Sequence, residues 1–271
     1  MSQKTTRTTE RIDPEQWFAS REECLLYLRH KFAYEFARTL IPPGGHVLEV
    51  GCGVGYGTVE LAHAADQVTG LDVDAPTVAL ATRRYGSDKL SFTVYDGSAM
   101  PFADESFDMA VSFQVIEHVL DAPAHVAEIY RVLKTGGSLA ATTPNRMYRL
   151  NPGQKPWNRF HLREYSADDL AAVLKTSFRD VSVWGIRGTD EVQAIEHARV
   201  AWALRSGPIS ALRRAMPESM RRLAGNIIRL AKRRSATQGM SDFLLKYSIA
   251  DYFVIKEHVE QSLDLLAVCR K

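Results

Sequence analysis

Cysteine is scarce in this 271-residue chain: Cys24, Cys52 and Cys269 are the whole complement. Their odd number and wide spacing exclude a disulfide framework and give no metal-ligand spacing. Long apolar runs are missing as well. None approaches the roughly 18 residues that a membrane-spanning helix needs. The opening "MSQKTTRTTE" lacks the apolar core of a secretory signal, so a cytoplasmic protein is expected. No sign of charge dominates either, with 34 Lys and Arg against 32 Asp and Glu, a net of +2. A near-neutral chain is a poor fit to a nucleic-acid partner. What is present is ordinary globular composition, 45% hydrophobic and 24% charged, sufficient to bury a core.

Elements alternate along the chain. After a polar tail (1–12, expected to be disordered), 13–43 reads as a helical lid that starts at Asp13-Pro14-Glu15 and stops at "IPPGG". "HVLEV", "QVTGLDV", "LSFTVYD", "FDMAVSF", "SLAATTP", "FRDVSVWGI" and "LDLLAVCRK" read as seven strands. Between them "APTVALATRRY" and "APAHVAEIYRVLK" read as helices, the second stopped by Gly136-Gly137. "SADDLAAVLKT" opens with Ser166 and two acids, a strong helix start. Such alternation predicts a doubly wound α/β protein, a Rossmann-like seven-stranded, mostly parallel sheet with helices on both faces. A ligand crevice should then lie at the carboxyl ends of the strands. The core is expected over 44–186, a helical cap insertion over 187–250, and a final helix and strand over 251–271.

Charge is concentrated in the insertion. From Arg205 to Arg234 there are nine basic residues and one acid, Glu218, so the remainder carries about −6. Ile209, Leu212, Met216, Met220, Leu223, Ile227 and Leu230 recur at helical steps beside it, with Pro217 as a divider. One reading is a solvated cap; another is peripheral contact with a membrane or a lipid-linked acceptor through 205–234. A third is a phosphate-rich partner, though interleaved aromatics for reading single strands are lacking.

"VLEVGCGVGYGT" carries the most chemistry. Gly51, Gly53 and Gly55 follow the first strand, where bare backbone turns tightly and approaches a ligand closely. A purely structural turn is the alternative. Asp72 lies 21 residues past Gly51, at the end of the second strand, where a carboxylate accepts both hydroxyls of a ribose. A helix cap is the competing role there, and Asp74 suits it better. Asp96 follows the third strand in "YDGSAMPF", placed to accept from an adenine amino group, with Gly97, Ser98 and Met100 beside the ring; alone it would be an unremarkable Asp-Gly turn.

Together, "VLEVGCGVGYGT", "VTGLDVD", "YDGSAMPFADESFDMAVSFQVIEHV" and "VLKTGGSLAATTPN" resemble the class I S-adenosylmethionine-dependent methyltransferases, over about 45–185 and the final strand. The branch they most resemble includes ubiquinone/menaquinone-type and small-molecule O-methyltransferases. The acid before the turn agrees with this. Glu49 would repel a pyrophosphate but suits a cationic ammonium and sulfonium. The resemblance implies that Glu49 and the backbone of Gly51, Cys52, Gly53 and Gly55 hold the methionine moiety. It places Asp72 and Val73 at the ribose, Asp96, Gly97, Ser98 and Met100 at the adenine, and Phe113 and Gln114 along the wall. Lys31 or Arg29 is a candidate partner for the methionine carboxylate; plain solvated helix charges are the alternative.

Methyl transfer from a sulfonium is an in-line displacement, in which alignment matters most. An oxygen acceptor also needs a base. Two histidines are candidates. His118, in "QVIEHV", either serves as base or orients its loop. His161, in "NRFHLREYS", lies in a loop whose Tyr148, Trp157 and Tyr165 either face an acceptor or pack the loop onto the core. His125 is seven residues past His118, no compact ligand cluster is evident, and metal dependence is not expected. The expected activity is methyl transfer to oxygen of a small-molecule or lipid-linked acceptor. An RNA or protein methyltransferase and a non-catalytic binding protein are the rivals.

Overall fold

Eight strands form one sheet in the order β3-β2-β1-β4-β5-β8-β6-β7 in a computed structural model that describes residues 20–205 and 245–271. The expected tail, the helix start at Asp13-Pro14 and the basic stretch after Arg205 lie outside the described residues.

The strands are β1 (His46–Val50), β2 (Gln67–Asp72), β3 (Leu90–Val94), β4 (Phe107–Phe113), β5 (Leu133–Pro144), β6 (Asp180–Gly188), β7 (Tyr252–Ile255) and β8 (Asp264–Arg270). The first five pair in parallel, whereas β8 runs antiparallel between β5 and β6, and β7 antiparallel on the β6 edge. Helices α1 (Arg21–Arg38), α2 (Tyr56–Leu61), α3 (Ala75–Tyr85), α4 (Ala122–Val132), α5 (Arg146–Arg149), α6 (Ala167–Leu174) and α7 (Asp190–Arg205) connect or flank them.

The apolar strands are explained by burial on both faces. Along β4, Met109, Val111 and Phe113 join the core beneath α1 and α7, while Phe107 and Ala110 join the core beneath α4 and α6. Along β1, Val47 faces the first core and Leu48 and Val50 the second. Glu49 alternates onto the first side, a buried acid on a core strand.

The sheet has one strand more than the sequence suggested. The addition is β7, "YFVI", which lies just past the expected cap, where a final helix was expected. Four residues are too few to display a strand period, and at the sheet edge Phe253 is 42% exposed. Two boundaries also move. Helix α4 ends at Val132 and the chain goes directly into β5, so Gly136-Gly137 falls inside that strand rather than capping the helix. Strand β6 runs on to Gly188, into the region assigned to the cap. By contrast, Ser166 caps α6 with a full capping box to Asp169, as its sequence indicated.

Strand order reverses between β1 and β4, since β2 and β3 lie to one side and β5 to the other. That switch point opens a crevice at the carboxyl ends of the parallel strands.

Candidate active site

The glycine turn sits at that crevice. Gly51 and Cys52 both donate their backbone N–H to Leu71 O, at 2.6 and 3.1 Å, which ties the turn to the end of β2. Gly51 has φ +80°, and a Cβ there would come within 2.4 Å of Val115 Cγ2. Only glycine meets both conditions. Gly53 and Gly55 also have positive φ. Gly57, the fourth glycine of the motif, serves packing: a Cβ would meet the Tyr34 ring at 2.1 Å.

Asp72 is buried and braces the same turn. Its Oδ2 accepts from Gly53 N and its Oδ1 from Asp74 N, each at 2.9 Å. Val73 follows, half-buried. Asp74 takes the cap position of α3, as the sequence suggested, and Thr77 Oγ1 donates to it. Asp96 is exposed on the third loop, accepting from both the backbone N and the hydroxyl of Ser98 around Gly97, which has φ +88°. Those hydrogen bonds hold its carboxyl below the usual range. Met100 is buried next to this loop, its N–H donating to Glu128 Oε2 at 2.8 Å.

Glu49 lies behind the turn. Tyr34 Oη donates to its Oε1 at 2.6 Å and Thr58 Oγ1 to its Oε2 at 2.5 Å. Burial pushes the carboxyl up to about 7 despite those two donors. Sequence reading missed Tyr34 altogether; it lies 15 residues upstream, on α1. Phe113 packs its ring edgewise on Tyr34 at 5.0 Å. Gln114 has φ +56°, rare for a residue with a side chain, at the end of β4. Its Nε2 donates to Asp264 Oδ2 at 3.1 Å.

The two candidate cations on α1 have protein partners. Lys31 pairs with Glu60 on α2 at 3.3 Å. Arg29 is buried between Asp264 at 2.8 Å and Glu196 at 3.5 Å, so it ties α1 to β8 and α7. Neither Asp264 nor Glu196 stood out in the sequence, because each acquires its role only through the fold.

Beyond β4, Glu117 and His118 lie on a short 3-10 turn, and the loop after α5 returns across them. Leu162 N donates to Glu117 O at 2.8 Å, and His118 Nδ1 donates to Phe160 O at 2.9 Å. This brings His161 beside His118, with ring centroids 4.9 Å apart. His161 Nδ1 donates to Glu164 Oε1 at 2.8 Å, and Arg149 Nε donates to Glu164 Oε2 at 3.2 Å. Glu117 is fully buried. Thr143 Oγ1 donates to its Oε2 at 2.9 Å, and desolvation raises the carboxyl to about 8.

One ligand atom from each of Glu117, His118 and His161 lies within 4.8 Å of the others. This corrects the expectation that no compact ligand cluster forms: His161, 43 residues past His118 in the chain, is brought in by a loop that no local spacing reveals. His125 is elsewhere, buried on α4, and burial lowers its imidazole to about 4. Of the three aromatics assigned to the loop, Tyr165 belongs to the core at 1% exposure. Trp157 stacks under the Arg149 guanidinium at 4.4 Å, and Tyr148 Oη donates to Gln193 O on α7.

Residues 48–141 match a family model described as a methyltransferase domain. A Mycolicibacterium smegmatis protein named "Probable S-adenosylmethionine-dependent methyltransferase/" is 39% identical over 162 residues, 59% of this chain. The match spans 58% of that relative, a little over half its length. An O-methyltransferase of Aspergillus nomiae is 33% identical over 162 residues, covering 56% of this chain and 72% of that protein. Among solved structures, a SAM-dependent methyltransferase from Thermotoga maritima shares the fold, with TM-score 0.55 at 19% identity over 92% of this chain and 95% of that one.

Proposed function

The chain belongs to the class I S-adenosylmethionine-dependent methyltransferases, and from that premise we propose that it methylates an oxygen of a small-molecule or lipid-linked acceptor. S-adenosylmethionine is the cofactor. In this reading the Gly51–Gly55 backbone and Cys52 receive the methionine moiety, with Glu49 as the anionic group behind it. Asp72 and Val73 hold the ribose, and Asp96, Gly97, Ser98 and Met100 the adenine. Phe113 and Gln114 form the wall toward the acceptor. The acceptor oxygen attacks the methyl carbon in line. A C–O bond forms, the C–S bond breaks with its electron pair going to sulfur, and S-adenosylhomocysteine leaves.

The observation that carries oxygen as the acceptor atom is the convergence of His118 and His161 on Glu117, with Glu164 behind His161. An acceptor hydroxyl must lose a proton, and two imidazoles beside a buried carboxyl group can activate it; a neutral amine needs less such help. The Aspergillus relative, an O-methyltransferase, supports the same assignment.

The test is to incubate the purified chain with S-adenosylmethionine and matched panels of phenols, sugar alcohols, glycosides and amines, measuring S-adenosylhomocysteine. Turnover with hydroxyl compounds is expected, reduced at least about 100-fold in His161→Ala. Turnover confined to amines and unchanged in that variant would overturn the proposal.

A further inference from the structure

We propose that Glu117, His118 and His161 form a binding site for a divalent first-row transition ion, which takes the acceptor hydroxyl as a further ligand. This deepens the oxygen-methylation reading and rests on it.

Three independent features of the cluster support this. First, the ligand set is two imidazoles and one carboxylate, with their ligand atoms within 4.8 Å of one another. That is the composition of a facial triad, which leaves coordination positions open on the far side of the ion.

Second, the hydrogen-bond partners of the imidazoles fix their tautomers. His118 Nδ1 faces a carbonyl, Phe160 O, and His161 Nδ1 faces a carboxylate, Glu164 Oε1. Both partners only accept, so in each neutral ring Nδ1 carries the proton and Nε2 the lone pair. A carboxylate or carbonyl behind the protonated nitrogen is the usual support of a metal-bound histidine. Arg149 in turn holds Glu164 in place.

Third, Glu117 is 0% exposed and its Oε1 has no hydrogen-bond partner, while its Oε2 accepts from Thr143. A buried carboxyl oxygen left without a partner is costly, and an ion between it and the imidazoles, displacing any proton it carries, removes that cost. Asn158 closes the arrangement. Its Oδ1 accepts from Phe160 N at 3.1 Å, which turns its Nδ2 toward His161 Nε2 at 2.8 Å. That amide donor occupies the lone pair an ion would take, and it must swing aside when the ion binds.

Imidazole with carboxylate favours zinc, iron, cobalt or manganese over calcium and magnesium. A hydroxyl bound to such an ion ionises at lower pH, so the nucleophile is the oxygen of a metal-bound alkoxide and its proton leaves to solvent.

The experiment uses tag-free, chelator-stripped full chain titrated with cobalt(II) alone, followed by visible absorption and calorimetry. One equivalent should bind with ligand-field bands, and His118→Ala, His161→Ala and Glu117→Gln should each weaken binding at least tenfold. Their affinity for S-adenosylhomocysteine, measured in parallel, should stay unchanged and shows that they fold. Asn158→Ala should tighten cobalt binding by up to about tenfold, by removing the competing donor. Absence of a one-equivalent site in the wild-type chain, or equal cobalt affinity in the triad variants, overturns the proposal. Hydroxyl methylation that survives chelation would reject the ion and leave oxygen methylation standing. Cobalt binding together with amine-only turnover would reject oxygen methylation and leave the ion.

Discussion

Glu49 sits between two hydroxyl donors in a dry layer, and that setting makes it a pH-dependent residue. In the folded chain it ionises near 7 because burial penalises the charge, whereas an unfolded glutamate ionises near 4.5. Between those values the folded state binds more protons than the unfolded one. Glu49 therefore lowers stability progressively as pH rises from about 4.5, and its penalty is complete above 7. A cationic ligand at the glycine turn favours the ionised form. Affinity for S-adenosylmethionine should accordingly rise from pH 6 to pH 8, with proton release on binding, read by calorimetry in buffers of different ionisation enthalpy. A flat profile in wild type, or the same slope in Glu49→Gln, would contradict this role. Gly51 makes a simpler case. Gly51→Ala combines positive φ with the 2.4 Å approach to Val115, so it should lower the melting temperature and abolish cofactor binding together. The glycine turn and the placement of Glu49 and Asp72 around it were legible because they are local to two short motifs. Tyr34 and Asp264 were not, since each reaches the site from a distant element whose approach no local pattern encodes.

At the scale of elements, α1 is fastened by polar contacts rather than by apolar packing alone. Arg29 joins it to Asp264 and Glu196, and Tyr252 Oη donates to Leu25 O at 2.7 Å. Arg29→Met leaves buried Asp264 without its charged partner, with only the Gln114 amide donating to it, while Glu196 keeps Arg199 at 2.6 Å, and the expected loss is about 3 kcal/mol in denaturant unfolding. A loss below about 1 kcal/mol would mean that Asp264 finds another partner. On α6, Ser166→Ala removes the side-chain half of a capping box at an exposed helix start, leaving only the backbone N–H of residue 166 donating to Asp169, and about 1 kcal/mol should be lost in the same measurement. The sequence reading succeeded with such elements, where a cap, a long period or a fully apolar strand marks the boundary: β1, β4 and α3 fall where expected. It failed for β7, a four-residue edge strand with one side chain half out of the sheet, and at the α4–β5 junction. There strand pairing with β4 begins at Leu133, before the glycines, and overrides their usual role as a helix stop.

For the whole molecule, the order of the sheet determines where chemistry can occur. Reversal between β1 and β4 puts the glycine turn, Asp72 and Gln114 at one crevice, and the loop after α5 brings His161 against His118, just past the end of β4. The alternating pattern of strands and helices foretold the crevice, but not which downstream loop would cover it. No helix among the described residues is long and apolar enough to cross a membrane. Methyl transfer at that crevice requires S-adenosylmethionine to be held there, on the proposed placement through the carboxylate that ends β2. The most direct measurement is calorimetric titration of the full chain and of Asp72→Ala with S-adenosylmethionine, with NAD as the control. On the proposed placement Asp72→Ala loses two charge-assisted hydrogen bonds to the ribose, worth about 1.5–3 kcal/mol each, so S-adenosylmethionine binding should weaken at least about 100-fold while NAD binds neither protein. Equal affinity in the variant, or binding of NAD alone, would contradict the placement of the cofactor and the reading built on it.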